Sequence, residues 1–324
     1  MSQIEIFKSA LDEEIESYAY GAHPLELYEP IRYLMHLQGK RLRPMLTLLA
    51  AGMFTEDWKH ALKPAHAVEV FHNFTLMHDD IMDNAPLRRG SPTVHAKWNT
   101  NTAILSGDVM LVQAYELFLN SPEGLLPKIL KRFNRTAAEV CEGQQLDMNF
   151  ETRQEVSIPE YIEMIRLKTS VLLGYSLELG AILGGAEDTS IRSLYEAGVN
   201  MGLGFQLKDD LLDVYGDPER FGKQVGGDIL ANKKTYLYLK ALDKADEDTR
   251  QELLVHFGKP AADARAKVEA VTAIYNRLGI RDITEELIRS YFEKALKAIE
   301  GLPVEEDRKV HLLGFAEYLM NRDK

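Results

Sequence analysis

Apolar residues recur at intervals of three and four along most of the chain, which predicts helices rather than strands. The clearest segments are residues 65–83, 103–119, 159–174, 191–215 and 282–302. Pro64 suits the first turn of the first segment, and Ser157 suits the cap of the third. No strand-period alternation persists, and no Gly/Ser/Pro-rich linker divides the chain. The pattern therefore predicts an all-α bundle of about ten or more helices, in a single domain over residues 1–324.

Composition and charge limit the kinds of molecule that the protein is expected to bind and the place where it is expected to act. The 324 residues carry a formal net charge of −12, whereas nucleic-acid binding requires a basic face. The single cysteine, Cys141, excludes an intramolecular disulfide and disfavours a cysteine-based zinc site. The N-terminal segment is polar and acidic, unlike a signal peptide, and no apolar run approaches the ~18–20 residues of a membrane span. We expect a cytoplasmic protein without stable membrane insertion.

Two aspartate clusters interrupt the helical pattern. Each has the order Asp-Asp-x-x-Asp, in the residues Asp79, Asp80, Asp83, Asp209, Asp210 and Asp213. Carboxylates four positions apart share one helix face and repel each other, and the C-terminal end of a helix disfavours anions. A bound cation would relieve both costs, and a set of hard oxygen donors suits Mg²⁺. A solvated acidic helix end explains one such cluster equally well, but two copies favour a metal site.

Basic residues gather close to these clusters despite the acidic total. They are Lys40, Arg41, Arg43, Arg88, Arg89, Lys223, Lys233 and Lys234. Any one of them is readily explained as a surface charge. As a set beside two acidic clusters they predict a bound polyphosphate, since arginine and lysine both bind phosphate oxygens. The order GxxxxGK[ST] is absent, which disfavours a nucleoside triphosphatase.

Four further polar residues lie at positions that suit a reactive site. His72 precedes Asp79 by seven residues, almost two helical turns, and therefore faces roughly the same side. Lys168 and Thr169 follow an amphipathic run, and Gln206 precedes the second cluster by three residues. A hydroxyl and an amide oxygen can stabilise a carbocation without attacking it.

These motifs resemble those of the trans-isoprenyl diphosphate synthases, also called polyprenyl synthetases. The resemblance rests on GKRLRP at 39–44, HDDIMD at 78–83, LRRGSPTVH at 87–95, Lys168-Thr169, FQLKDDLLD at 205–213, GKQVGGDI at 222–229 and Lys233. It implies an all-α bundle around a deep central cavity, usually a homodimer. It also implies a Mg²⁺-dependent prenyltransferase that joins isopentenyl diphosphate head to tail to an allylic diphosphate and releases pyrophosphate.

The resemblance implies a role for each matching residue. Asp79, Asp83 and Asp209 would hold three Mg²⁺ ions against the allylic diphosphate, and the other three aspartates would support them. The residues implied to contact that diphosphate are Arg88, Lys168, Lys223 and Lys233. The residues implied to hold isopentenyl diphosphate are Lys40, Arg43, His72 and Arg89. The residues implied to line the carbocation region are Lys168, Thr169 and Gln206.

Product length is expected to depend on the residues just before the first cluster. Phe74 lies five residues before Asp79, ~7.5 Å along the helix, where a bulky side chain would stop the growing chain. Composition alone explains Phe74 equally well as a core residue. A large Phe74, a small Thr75 and no insertion within the cluster resemble a geranylgeranyl diphosphate (C20) synthase. Farnesyl diphosphate (C15) is the alternative product.

Three rival functions remain at this point. A class I terpene cyclase would need a different second metal motif and has no use for GKRLRP. A non-catalytic subunit of a heteromeric prenyl synthase usually lacks one or both clusters, and a calcium-binding structural protein has no need of the basic residues. Arg322 and Lys324 partly match a basic C-terminal tail that closes over the site in some relatives, and their role stays open.

Overall fold

The structure is a computed structural model that describes residues 3–37, 39–216, 226–257 and 263–322. The first helices are α1 (Gln3–Ser17), α2 (Leu25–His36), α3 (Leu42–Phe54), α4 (Leu62–Met82), α5 (Val94–Lys97), α6 (Thr100–Phe118), α7 (Leu126–Thr152) and α8 (Ile158–Ile165). They are followed by α9 (Val171–Leu183), α10 (Asp188–Tyr215), α11 (Gly227–Leu230), α12 (Tyr236–Lys244), α13 (Glu247–Phe257), α14 (Ala264–Arg277), α15 (Ile280–Glu300) and α16 (Glu306–Asn321). The prediction of an all-α fold is confirmed.

The chain divides into two compact units, and the prediction of a single domain stays a prediction. The first unit consists of Met1–Arg135, Tyr175–Tyr195 and Ile299–Leu312. Within it, α4 packs along α6. Its core contains an aromatic cluster in which the Phe133 ring lies 4.9 Å from Phe71 and 4.7 Å from Phe118. These fully buried rings anchor α4, the helix that ends at the first aspartate cluster.

The second unit consists of Thr136–Gly174, Glu196–Ala298 and Leu313–Lys324. Its central helix, α10, approaches neighbouring backbone closely because two of its residues lack a side chain. A Cβ at Gly198 would lie 2.7 Å from the Cα of Gly174, and a Cβ at Gly202 would lie 2.5 Å from the Cα of Ser170. The glycines therefore give close helix packing, which offsets their low helix propensity.

The helix predicted over residues 159–174 ends in a different way. It begins as expected, with a capping box between Ser157 and Glu160. It changes at Arg166–Ser170 into a π-helical turn and continues as α9 to Leu183. The prediction that it ends at Gly174 was wrong, because that glycine packs against Gly198 and does not stop the helix.

The only strands among the described residues form a two-residue hairpin. Leu87–Arg88 pairs antiparallel with Ser91–Pro92, within the stretch that the sequence marks as irregular. The central residues Arg89 and Gly90 have φ of 53° and 76°, as in a type I′ turn. Among the described residues, no helix combines the length and apolar character of a membrane span.

Candidate active site

The first aspartate cluster occupies the last turn of α4 and its C-terminal cap. Asp80 is 2% exposed, whereas Asp79 is half-buried and Asp83 is exposed. The backbone N–H of Asp83 donates to the carbonyl of Asp79 at 2.9 Å, which closes the helix. The two outer carboxylates are therefore accessible at a helix end, and the middle one points into the protein.

Arg88 compensates the buried charge of Asp80. Its Nε donates to Asp80 Oδ2 at 2.8 Å and its Nη2 to Oδ1 at 2.7 Å, a two-pronged geometry that matches guanidinium to carboxylate. The same Nη2 lies 4.0 Å from Asp79 Oδ2. The hairpin turn places the next residue, Arg89, elsewhere: its Nη1 donates to the carbonyl of Leu37 at 3.4 Å.

Glycine at position 39 gives Arg89 room beside the GKRLRP motif. A Cβ at Gly39 would lie 2.8 Å from Arg89 Nη1, so a larger residue would displace the guanidinium. Lys40 follows directly and is exposed. The structure thus brings Arg89 and Lys40 to the same part of the first unit, as their predicted shared ligand requires.

Arg41 has a structural contact that the sequence does not reveal. Its Nη1 donates to Glu69 Oε1 at 2.6 Å and its Nη2 to the carbonyl of Met35 at 2.5 Å. Glu69 is 2% exposed and also accepts from Asn73 Nδ2 at 3.0 Å. This buried pair holds the backbone at Arg41, where φ is 48°, and so sets the start of α3.

Arg43 and His72 contact each other across α3 and α4. Arg43 Nη1 donates to His72 Nε2 at 3.0 Å, which requires an unprotonated Nε2. Burial and the nearby guanidinium of Arg43 lower the pKa of His72 well below its ordinary value. His72 is therefore neutral near pH 7 and can donate through Nδ1.

Phe74 lies on α4 between two aromatic neighbours. Its ring contacts His78 edge-on at 4.8 Å and lies 5.7 Å from Phe71. The hydroxyl of Thr75 donates to the carbonyl of His72 at 2.7 Å, so it is satisfied within the helix. Phe74 is half-buried, unlike the fully buried Phe71. It is thus not an ordinary core residue in the first unit.

The second aspartate cluster lies within the last two turns of α10. Its middle residue, Asp210, is 4% exposed and accepts hydrogen bonds from the hydroxyl of Tyr161 and from Gln206 Nε2, the latter at 3.2 Å. Burial, and next the charge of Asp228, raise the pKa of Asp210 to about 8. This carboxyl is therefore largely protonated at neutral pH.

The outer aspartates of this cluster also have contacts. Arg322 donates to Asp209 Oδ1, and its guanidinium carbon lies 3.7 Å from the centre of the Phe205 ring. Asp213 Oδ2 accepts from the backbone N–H of Asp228 at 3.0 Å. Arg322 therefore contacts the second aspartate cluster, whereas Lys324 lies outside the described residues.

The predicted lysines of the second unit are placed unequally. Lys233 Nζ lies 4.0 Å from Asp228 Oδ1, and Lys234 Nζ donates to the carbonyl of Phe150 at 2.7 Å. Lys223 lies outside the described residues. Lys233 is therefore near the second cluster, whereas Lys234 stabilises the end of α7.

Lys168 and Thr169 lie in the π-helical turn, a kind of irregularity that is frequent at functional sites. Lys168 Nζ donates to Asp147 Oδ2 at 2.5 Å. The Thr169 hydroxyl donates to Gln206 Oε1 at 3.2 Å, and Gln206 in turn donates to Asp210. This chain of hydrogen bonds leaves the lone pairs of the Thr169 oxygen available to an electron-poor group.

Sequence reasoning missed several contacts, because the partners are distant along the chain. Tyr161 precedes Asp210 by 49 residues and Asp147 precedes Lys168 by 21. Neither residue belongs to a motif that was identified. The burial of the middle aspartate of each cluster was not predicted either, and its one sequence signal is that neighbouring residues on a helix point in different directions.

Known proteins show close similarity to this chain. The polyprenyl synthetase family profile matches residues 24–275. A geranylgeranyl pyrophosphate synthase from Geoglobus acetivorans is 39% identical over 316 residues, which span 97% of this chain and 96% of the relative.

Solved structures extend the similarity to the fold. A geranylgeranyl pyrophosphate synthase structure aligns with a TM-score of 0.95 at 47% identity, covering 100% of both chains. A polyprenyl synthase from Caulobacter crescentus CB15, complexed with calcium and isoprenyl diphosphate, aligns with a TM-score of 0.87 at 29% identity. That alignment covers 99% of this chain and 96% of the other.

Proposed function

The chain belongs to the polyprenyl synthetase family, and we propose that it makes geranylgeranyl diphosphate from isopentenyl diphosphate and an allylic isoprenoid diphosphate. Its class of reaction is prenyl transfer, with elongation of a prenyl chain. The observation that carries the proposal is the near full-length similarity to geranylgeranyl diphosphate synthases, in a chain that retains both aspartate clusters.

The accessible carboxylates suit Mg²⁺, on which the family depends. Asp79 and Asp83 in the first unit and Asp209 in the second offer hard oxygen donors at helix ends. Asp80 and Asp210 are buried and hydrogen-bonded, which suits a supporting role. We propose that three ions are held by the accessible aspartates, with Asp213 supporting through its contact to Asp228. The ions would take further ligands from a diphosphate and water. The calcium-bound Caulobacter polyprenyl synthase supports a divalent-metal site of this kind.

Two sets of basic residues would hold the two diphosphates. We assign isopentenyl diphosphate to Lys40, Arg43, His72 and Arg89, because the structure brings Arg43 to His72 and Arg89 to the GKRLRP motif. We assign the allylic diphosphate to Arg88, Lys168, Lys223 and Lys233. Neutral His72 serves as a hydrogen-bond donor and adds no charge.

The reaction begins when the allylic C1–O bond breaks and charge builds on the departing pyrophosphate. Bound Mg²⁺ supplies Lewis-acid stabilisation of that charge. The basic side chains assigned to the allylic diphosphate, Lys168 among them, stabilise the same charge further. The Thr169 oxygen is oriented by its hydrogen bond to Gln206 and would stabilise the allylic cation as a dipole. The double bond of isopentenyl diphosphate then attacks the allylic C1 and forms the new C–C bond, and the released pyrophosphate accepts the proton that the resulting tertiary cation loses.

The direct test is turnover by the purified protein. Isopentenyl diphosphate would be incubated with dimethylallyl, geranyl or farnesyl diphosphate, with Mg²⁺ or with EDTA. We expect Mg²⁺-dependent formation of a C20 product. No turnover with any allylic primer would contradict the proposed reaction and favour a non-catalytic subunit, and a predominant C15 product would contradict the proposed chain length.

Phe74 is proposed to limit the length of the product. It is half-buried on α4 and braced by His78, so its ring has a defined position. Replacing Phe74 with Ala should shift the product beyond C20, whereas Phe74→Tyr keeps the ring and should keep C20. Chain-length analysis by chromatography measures the shift, and an unchanged Phe74→Ala distribution would contradict the role.

An exposed apolar stripe along α6 and its C-cap residue supports a homodimer. Leu105, Val112 and Leu119 are 57%, 59% and 56% exposed and follow each other at intervals of seven residues. That spacing places them on one face of a helix, as in helix pairs that associate. We propose that a second copy covers this stripe. Leu105→Glu with Val112→Glu should halve the mass in sedimentation equilibrium, and Glu286→Gln, at an exposed position of α15, should not; a wild-type monomer would contradict the proposal.

A further inference from the structure

The π-helical turn Arg166–Ser170 is an irregular element that needs support from its neighbours. The N–H of Val171 donates to the carbonyl of Arg166, five residues earlier, and Ser170 Oγ donates to the carbonyl of Ile165 at 3.2 Å. Such turns are rare within α-helices. Since two adjacent residues assigned to the reaction lie in this turn, whatever holds the turn also holds them.

On one side the turn is contacted by a single face of α7. A Cβ at Gly143 would lie 2.2 Å from the backbone nitrogen of Lys168 and 2.6 Å from its Cα. One helical turn later, Asp147 Oδ2 lies 2.5 Å from Lys168 Nζ. Residues four apart lie on the same helix face. This face therefore contacts both the backbone and the ammonium group of Lys168.

On another side the turn is contacted by α10 in the same manner. A Cβ at Gly202 would lie 2.5 Å from the Cα of Ser170. One helical turn later, Gln206 Oε1 accepts the hydroxyl hydrogen of Thr169 at 3.2 Å. Each helix thus offers a glycine for close backbone contact and, four residues on, a polar group that orients a side chain of the turn.

We propose that Gly143, Asp147 and Gly202 are positioning residues for the condensation, acting through Lys168 and Thr169. The inference rests on the proposed function and adds to it the residues that hold the carbocation side of the site. A methyl group at either glycine would have to retreat by about 1 Å to reach ordinary van der Waals contact. It would move the turn and, with it, both side chains.

The experiment measures steady-state kinetics of Gly143→Ala and Gly202→Ala with each substrate varied in turn. We expect kcat/KM for the allylic diphosphate to fall by about 10- to 100-fold, since a misplacement near 1 Å has effects of that size. The KM for isopentenyl diphosphate should change by less than about twofold. The described contacts of the groups assigned to that substrate are made by other residues, such as the hydrogen bond of Arg43 to His72.

Gly198→Ala is the matched control on the same helix. Its Cβ would meet the backbone of Leu173 and Gly174, beyond the π-helical turn, at a similarly short distance of 2.6–2.7 Å. We expect it to lower the melting temperature about as much as Gly202→Ala, with allylic kcat/KM within about threefold of the unmodified protein. An equal catalytic loss in Gly198→Ala would show that the loss in Gly202→Ala comes from a general loss of stability, and it would overturn the inference.

Asp147→Asn keeps the size of the side chain and tests the inference if the alanine variants do not fold. We expect the KM for the allylic diphosphate to rise by about fivefold or more at an unchanged melting temperature, and Asp147→Glu to restore part of it. If the variants fold and their kinetics match those of the unmodified protein, the inference is overturned and the proposed function is unaffected. No turnover by the unmodified protein would reject the proposed function, and the inference with it.

Discussion

At the end of α4 the buried aspartate is Asp80, and at the end of α10 it is Asp210. Both occupy the second position of the same pattern, and both are less than 5% exposed. Asp80 is compensated by a cation, because the guanidinium of Arg88 contacts both of its oxygens. Asp210 accepts hydrogen bonds from neutral donors instead, and burial, with the nearby charge of Asp228, raises its pKa to about 8. One sequence pattern therefore gives one buried carboxyl that contacts a cation and one that is largely neutral near pH 7.

The outer aspartates differ as well. Arg88 is held mainly by Asp80 and lies at the limit of ion-pair distance from Asp79. In the second unit a cation contacts the outer Asp209 itself, since Arg322 donates to it from the C-terminal segment. A metal ion bound through the same oxygen of Asp209 would therefore compete with the guanidinium of Arg322. The two clusters both offer carboxylate oxygens. They differ in which aspartate a cation contacts, since Arg88 contacts the buried Asp80 and Arg322 contacts the outer Asp209.

The largest expected effect is on turnover when an outer aspartate is removed. Asp79→Ala and Asp209→Ala should each lower kcat/KM by about 10³-fold or more, because loss of metal-based charge stabilisation costs several kcal/mol. Steady-state assays at saturating Mg²⁺ measure the loss. Asp248→Ala, at an exposed carboxylate of α13, is the control and should stay near the unmodified rate. Near-normal turnover in Asp209→Ala would remove that cluster from the metal site.

The next effect contrasts the two buried aspartates. Asp80→Asn should lower the free energy of unfolding by about 2 kcal/mol or more, because it leaves the partly buried Arg88 without its charged partner. Asp210→Asn should lower it by about 1 kcal/mol or less near pH 7, because an amide resembles a protonated carboxyl in size and hydrogen bonding. Denaturant unfolding in EDTA measures both, and equal losses would contradict the contrast.

The pH dependence of stability separates the same two residues. A folded pKa of about 8 lies above the ordinary value of ~3.9, so the folded state retains a proton that the unfolded state has released. The contribution of Asp210 to stability therefore declines as pH rises from about 4 to 8. In EDTA, Asp210→Asn should be less sensitive than the unmodified protein to a change from pH 6 to pH 9. An identical pH profile would contradict a protonated Asp210.

The smallest effect concerns Arg322. Removing its guanidinium should remove one competitor for Asp209 Oδ1 and lower the Mg²⁺ concentration for half-maximal rate by about two- to fivefold, or ~0.4–1 kcal/mol. Mg²⁺ titration of Arg322→Ala gives the value, with Arg289→Ala as a control at an exposed arginine of the same unit. A higher Mg²⁺ requirement would indicate that Arg322 assists the site and does not compete.

Much of the fold follows from local patterns. The helix starts at Ser157 and near Pro64 were predicted because caps and first-turn prolines act within a few residues. The continuation of the helix past Gly174 was not predicted, because the sequence does not show whether a glycine ends its helix or packs against a neighbouring helix. The deciding contact is the close approach of Gly174 to the backbone of Gly198, which lies 24 positions away in the sequence.

The sequence by itself determined the all-α class, the family and the placement of both aspartate clusters at helix ends. These follow from periodicity and from motifs a few residues long. Only the tertiary structure decided which aspartate of each cluster is buried, what neutralises it, and how the π-helical turn is held. Those outcomes depend on partners such as Arg322, 113 residues after Asp209, and a pattern of neighbouring residues does not record contacts at that separation.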